Sequence, residues 1–325
     1  MTRTPYTSAI VVAGAVGVAL GLLMLPVYFQ HLAIEIVILA VAFTGWAMMA
    51  RFGLISLGHG AFFGIGAYVP ALLWNTYGLT PLVGIPIGVI LACVFGLLIA
   101  YPCFRLHVVG HYFAIVTLAA GEIIRLGLVA ARDVTGGSLG LTIDAVGDGN
   151  IFYAFQFSKP VFAGLAVAMW VVVYFIWVRV DRSILSRMLH ATSNDTQAAE
   201  AIGINVTASK LKITLTSIAI TAVAGAIYAQ YKLYINPETV SGVWVSLQIV
   251  FAAIIGGMYS VFGPVLGALL VTTLGESLRI AFGTTFAGAA NTIFGLFLII
   301  VIIRLPRGIW GIAASLKRPD TQHSN

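Results

Sequence analysis

The stretch VFAGLAVAMWVVVYFIWV (161–178) runs eighteen residues without a charge, and it is followed by the longest polar stretch of the chain, 179–212. The first is close to the roughly twenty apolar residues that cross a bilayer, where backbone polar groups are satisfied inside a helix. Nine more segments read the same way: 9–29, 32–50, 61–74, 82–104, 112–130, 211–230, 243–255, 261–278 and 285–303. The third and eighth of the ten, 61–74 and 243–255, are short and punctuated by glycine, so eight full spans with two broken or re-entrant helices fit equally well. The expected fold is all-α, a polytopic transmembrane helical bundle of about 8–10 membrane segments forming a single domain, 1–325.

Composition agrees. The 325 residues are 60% hydrophobic and 9% charged, whereas soluble domains are about a quarter charged. Thirty-five glycines fit close helix approach within a membrane. The net charge of +6 is spread singly over the ends of apolar runs, a topology signal and not a nucleic-acid patch. Ten spans place both termini and 179–212 on one side. Arg3, Arg51, Arg105, Arg179, Arg182, Arg187, Lys210, Lys212, Arg304, Arg307, Lys317 and Arg318 then share that side, against Arg125, Arg132, Lys159, Lys232 and Arg279 on the other. Twelve against five predicts cytoplasmic termini. The loop 132–159, with Asp133, Asp144, Asp148 and the turn TGGSLG (135–140), is expected outside. The 9–29 run exceeds the core of about 7–15 residues of a signal peptide and reads as a retained span. Cys93 and Cys103 lie about 15 Å apart along one helix, too far for a disulfide, and read as packing residues.

Within the polar stretch, QAAEAIGIN (197–205) is patterned enough to fold. Asn194 with Gln197 resembles a capping box and Gly203 supplies a stop, predicting a helix over 195–202. Ala198, Ala201 and Ile202 share one face, while Gln197 and Glu200 point elsewhere. Leu, Phe and Trp are absent between Thr192 and Val206, so docking of a soluble partner fits better than a helix lying on lipid. The sequon-like Asn205-Val-Thr207 reads as helix-start chemistry.

Other polar residues sit among the apolar runs. GLISLGHGAFFGIGAY (53–68) carries Ser56, His59, Gly60, Gly64 and Gly66; with Gly256 and Gly257 these are candidates for a translocation path, because irregular, glycine-rich backbone at membrane depth often lines one. The alternative is close helix packing. His59 reads as a hydrogen-bonded structural residue or as a proton carrier or ligand. Glu35 lies near the outer end of the second span. Gly121-Glu122-Ile-Ile-Arg125 and Gly275-Glu276-Ser-Leu-Arg279 echo each other, with acid and base one turn apart, and read as ion pairs at the outer mouth, with gating as the alternative. The topology makes the two segments parallel. No metal-ligand spacing, catalytic triad or nucleotide-binding P-loop occurs, so no catalytic residue is expected.

Taken together, AAEAIGINVT (198–207), the 53–68 stretch, YFAIVTL (112–118) running into Gly121-Glu122, Thr135-Gly-Gly-Ser138, Gly256-Gly257 through Phe262-Gly-Pro264-Val-Leu-Gly267, and Arg304-Leu-Pro306-Arg307-Gly308 cover most of the chain in order. The sequence resembles the permease subunits of ABC importers for high-affinity branched-chain amino-acid uptake, and most the second of the two paired permeases. The resemblance implies a multi-pass protein of the bacterial inner membrane and a non-catalytic subunit. It would pair with a homologous permease, bind cytoplasmic ATP-binding subunits that use ATP and Mg, and receive substrate from a periplasmic binding protein. Gln197 to Gly203 would be the coupling helix. The lead-in LHATSND (189–195) departs from the charged run that often precedes that helix. Substrates of similar permeases include branched-chain and polar amino acids, urea and short amides. A stand-alone secondary transporter would need midplane acids, which are scarce here, and an intramembrane enzyme a nucleophile–base pair or metal motif.

Overall fold

A computed structural model describes residues 5–108, 110–145, 151–282, 287–305 and 308–315. Arg3, Asp148, Pro306, Arg307, Lys317, Arg318 and the start of the 285–303 run lie outside them. The expected 9–29 run is divided: α1 spans Pro5–Leu23 and α2 spans Val27–Ala50, with Pro26 as the cap between them. Proline disfavours helix at the residue before it and suits a helix start, so Phe29 belongs to α2. α3 (His59–Tyr77) stops on left-handed Gly78. α4 (Pro81–Arg105) starts on Thr80, whose hydroxyl accepts the Leu82 N–H, with Pro81 in the first turn. α5 spans His111–Ala130.

The expected loop 132–159 is partly ordered into α6 (Arg132–Thr135), β1 (Leu141–Thr142) and α7 (Ile151–Ala154). α8 (Lys159–Arg182) carries the 161–178 run and continues into the polar stretch. That stretch then forms α9 (Ile184–Asn194) and α10 (Thr196–Ala201) before α11 (Val206–Lys232). β2 (Tyr234–Ile235) pairs antiparallel with β1, Leu141 opposite Ile235. α12 (Pro237–Val240), α13 (Val243–Gly256), α14 (Gly263–Phe282), α15 (Ala287–Arg304) and α16 (Gly308–Ser315) complete the order.

Each of the ten apolar runs is therefore helical, and among the described residues seven helices are long and apolar enough to cross a membrane. The chain is an all-α, multi-pass membrane bundle. α2 forms its axis, with every residue from 40 to 50 buried. α3 crosses α11 at backbone contact: a Cβ on Gly66 would lie 2.0 Å from the Ala222 carbonyl oxygen, and one on Gly225 2.0 Å from that of Phe63. Such proximity lets small residues bring dispersion contacts between backbones, which drive association where lipid supplies no hydrophobic force.

α16 and the first described side chains of α1 lie toward the end of the bundle where α8 leads into α9. Trp310 of α16 borders the same cavity as Trp177 and Asp181, at the end of α8. Ile10 of α1 faces Trp170 and Phe262, whereas Leu22 packs in the far-end cluster of Ile34 and Phe162. At that far end the β1–β2 ribbon ties the 132–145 connection to the turn leading into α12. Gly140 holds φ 81° and ψ −176° there, and a Cβ on it would stand 2.4 Å from the Ile235 carbonyl oxygen. Only glycine occupies that backbone region readily. Gly140→Ala is expected to cost about 2 kcal/mol and to open the ribbon. Faster proteolysis between 135 and 145 with a lowered Tm in detergent would show it; unchanged cleavage and Tm would count against a structural role for the ribbon.

Candidate functional site

α10 is built by three side chains and a glycine. Asp195, not Asn194, is its cap: Oδ1 accepts the N–H groups of Gln197 (2.9 Å) and Ala198 (3.0 Å), while the Asp195 N–H closes α9 on the Ala191 carbonyl. The expected helix thus starts one residue later, because Asn194 is the last residue of α9 and has no free backbone to cap with. Gly203, at φ 86°, donates its N–H to Glu200 O and ends the helix. Asn205 Oδ1 then accepts the Ala208 N–H to start α11.

The two sides of this helix differ. Ala199 is buried at 2% exposure, while Gln197, Ala198, Glu200, Ala201, Ile202 and Gly203 are exposed, Ile202 to 77%. One residue anchors α10 and an apolar face of Ala198, Ala201 and Ile202 is presented outward. The lead-in also has a place. His190 packs its ring on Phe52 at 4.9 Å, which joins α9 to the loop between α2 and α3. Glu200 lies 4.0 Å from His107 Nδ1 in the loop between α4 and α5, both side chains being exposed. Beside Phe52, Arg51 lies 4.0 Å over the Trp177 ring and binds Asp181 at 2.5 Å. Burial lowers the pKa of this guanidinium, and the Asp181 carboxylate opposes that shift.

The α2–α3 loop is braced from three directions. Trp46 Nε1 donates to Ser56 O (2.8 Å), and the Leu57 N–H donates to Thr117 Oγ1 (3.0 Å). His59 is fully enclosed, with Nδ1 3.0 Å from Ser56 Oγ and Nε2 2.9 Å from Ser217 Oγ. Both ring nitrogens are therefore occupied, Nδ1 by the loop that precedes α3 and Nε2 in holding α3 to α11. Gly60 donates its N–H to Ser246 Oγ, Gly64 abuts Ser241, Gly66 abuts Ala222, and Gly256 abuts Gly263. Of the seven residues expected along a path, only Gly257 borders a described cavity. Gly66 and Gly256 pack against neighbouring backbone, and Gly60 and Gly64 against the side chains of Ser246 and Ser241.

The larger cavity lies at the far end. A chamber of about 390 Å³ between α2, α11, α13 and α14 opens into a mouth of about 920 Å³ that shares its Glu35, Tyr228, Gln248, Glu276 and Arg279. Lys232 Nζ donates to Glu35 Oε2 at 2.7 Å, and the Tyr228 hydroxyl reaches Oε1 at 3.4 Å. Arg279 forks onto Glu276 at 2.6 and 2.9 Å, and Tyr28 donates to the same carboxylate. The parallel pair on α5 has Arg125 on Glu122 at 2.7 Å and extends to Glu238 of α12, which borders the mouth. Sequence spacing gave both i,i+3 pairs, but Tyr228, Lys232, Trp244 and Gln248 carried no such signal. The spacing of Tyr228 and Lys232, one turn apart at the end of α11, is the one available hint.

A family model described as the permease component of the branched-chain amino acid transport system matches residues 28–304. The high-affinity branched-chain amino acid transport system permease protein LivM of Escherichia coli K12 is 30% identical over 281 residues, covering 79% of this chain and 64% of that protein. The Salmonella typhimurium protein of the same name is 28% identical with the same coverage. A probable branched-chain amino acid transport permease protein LivH of Methanocaldococcus jannaschii is 25% identical over 266 residues, 78% of this chain and 82% of the relative. The match thus spans under two thirds of the length of the two LivM relatives. No solved structure matches the chain significantly. With one family model covering most of the bundle, the chain belongs to the family of branched-chain amino acid transport permease components.

Proposed function

We propose that this chain is a membrane-spanning permease subunit of a binding-protein-dependent ABC importer that brings amino acids, foremost branched-chain ones, into the cytoplasm. The carrying observation is α10: a short capped helix that anchors through Ala199, exposes Ala198, Ala201 and Ile202, sits beside the α4–α5 loop with Glu200 4.0 Å from His107, and follows α9, whose His190 packs on Phe52 of the α2–α3 loop. An ATPase that grips this face moves α3 and α5 through those loops. The chain lacks a nucleotide signature of its own, so ATP and Mg are used by cytoplasmic partner subunits. A homologous permease completes the path, and a periplasmic binding protein delivers substrate. In this reading the inner membrane holds the bundle with both termini and 179–212 in the cytoplasm, in keeping with the distribution of Lys and Arg. The 132–159 connection then faces the periplasm, and lipid covers the outer helices.

The test is reconstitution with the second permease, the ATPase subunits and the binding protein. Leucine is expected to accumulate only with ATP on the α10 side, and urea not at all. Uptake driven by an ion gradient without the ATPases would overturn the reading in favour of a secondary transporter; ATP-driven urea uptake without leucine uptake would overturn the substrate.

A further inference from the structure

We propose that the far-end chamber is a transit site that selects net-neutral zwitterions by exchanging its own ion pairs for those of the ligand; this rests on the importer reading above. Glu35 and Glu276 and the bases Lys232 and Arg279 face one space from three different helices, α2, α11 and α14; a third acid at the mouth, Glu238, is held by Arg125, and His31 by the Tyr231 hydroxyl. Both carboxylates keep 22% of their side-chain surface and Lys232 35%, so the acids and Lys232 are largely withdrawn from water, whereas Arg279 remains 72% exposed at the mouth. Charged residues inside a membrane bundle are costly, and they gather where a pathway needs them.

The chamber is polar at the mouth and apolar at its floor, where Phe63, Val245, Val271 and Phe294 close it. Gln248 lines both parts, and its amide has no protein hydrogen-bond partner among the described residues. A volume of about 390 Å³ suits a small molecule. A ligand with one carboxylate, one ammonium and an aliphatic tail fits this arrangement. Its carboxylate takes a place on exposed Arg279, its ammonium a place on Glu35 or Glu276, and its tail the floor. The total charge of the chamber is the same before and after. A ligand carrying only one of the two charges leaves an unbalanced charge away from water, which a small gain in tail burial does not offset.

Occupancy can be read without relying on ATP or the binding protein. In the assembled transporter, with Cys93 and Cys103 replaced by alanine, a cysteine is introduced by Thr272→Cys, and its labelling by a maleimide is timed. Millimolar leucine is expected to slow labelling at least about fivefold. Leucinamide, which is cationic, and 4-methylpentanoate, which is anionic, are expected to leave it within about twofold. The isoelectric double variant Glu276→Gln/Arg279→Gln is expected to abolish the protection. Labelling that leucine does not slow, or that all three compounds slow alike, overturns the proposal, provided the cysteine variant retains ATP-driven uptake. Protection without any ATP-driven uptake would leave the chamber in place and sink the importer reading instead.

Discussion

Ala198→Asp/Ile202→Asp is expected to abolish ATP-driven uptake and ATPase copurification while the chain reaches the membrane in normal amount. Both side chains are exposed, so neither substitution disturbs the bundle. In a docked complex each adds a carboxylate to a surface that the partner desolvates, at a cost of several kcal/mol per unpaired charge. Two such charges correspond to at least about a hundredfold loss of affinity, since 1.4 kcal/mol is tenfold. Ala199→Asp provides the contrast. Ala199 is 2% exposed, so a charge there attacks the seating of α10 and is expected to lower the amount of folded chain as well. Wild-type uptake and copurification in the double variant would show that the ATPases dock elsewhere.

Gly66→Val or Gly225→Val is expected to remove most of the folded chain from the membrane. At Gly66 a Cβ would be 2.0 Å from Ala222 O and 2.6 Å from its carbonyl carbon, and no side-chain rotation relieves a backbone collision. α3 and α11 would have to separate. Separation would also stretch the His59–Ser217 link, now 2.9 Å, and leave polar groups unpaired. A loss of about 3 kcal/mol or more is expected, at the upper end of overpacking costs. Gly127→Val is the control, because nothing lies within 4 Å of a Cβ there, and it should shift stability by no more than about 0.5 kcal/mol. Thermal unfolding in detergent checks both; equal Tm values for the two variants would contradict the close crossing of α3 and α11.

The proposed coupling of α10 to the helices would take a simple mechanical form. α9 and α10 rest on two different loops, through His190 on Phe52 and Glu200 near His107. The first loop is braced to α2, α5 and α11 by Trp46, Thr117 and His59. A displacement of α10 therefore cannot be absorbed by one flexible connection. This also gives the lead-in a role: His190 is a packing ring, and Asp195 is spent capping a helix.

Some of these features were legible in the sequence because they depend on neighbours in the chain. Apolar run length gave the ten helices, and a cap, a stop and an absence of bulky residues gave the polar helix to within one residue. The ion pairs of Glu122 with Arg125 and Glu276 with Arg279 follow from one turn of spacing. Pro26 shows the limit even at this level. The run 9–29 is apolar throughout, yet proline's backbone divides it between two helices.

What tertiary structure decided is which face of each helix meets protein. In water an amphipathic stripe marks the buried side, but a bilayer is as apolar as a protein core, so both faces of a spanning helix have the same composition. The spanning windows of α2 and α4 are both apolar, yet 72% of the first and 22% of the second are buried in the bundle. For the same reason the close packing of Gly66 and Gly225 is visible only when Ala222 and Phe63 are seen against them. The chamber needs Glu35 beside Lys232, 197 residues away in sequence, and Tyr28 beside Glu276, 248 away. By itself the sequence determined that this chain is a polytopic helical bundle with one exposed polar helix, because those depend on length and local capping. Where its charges meet was left to helix packing, which no local pattern encodes.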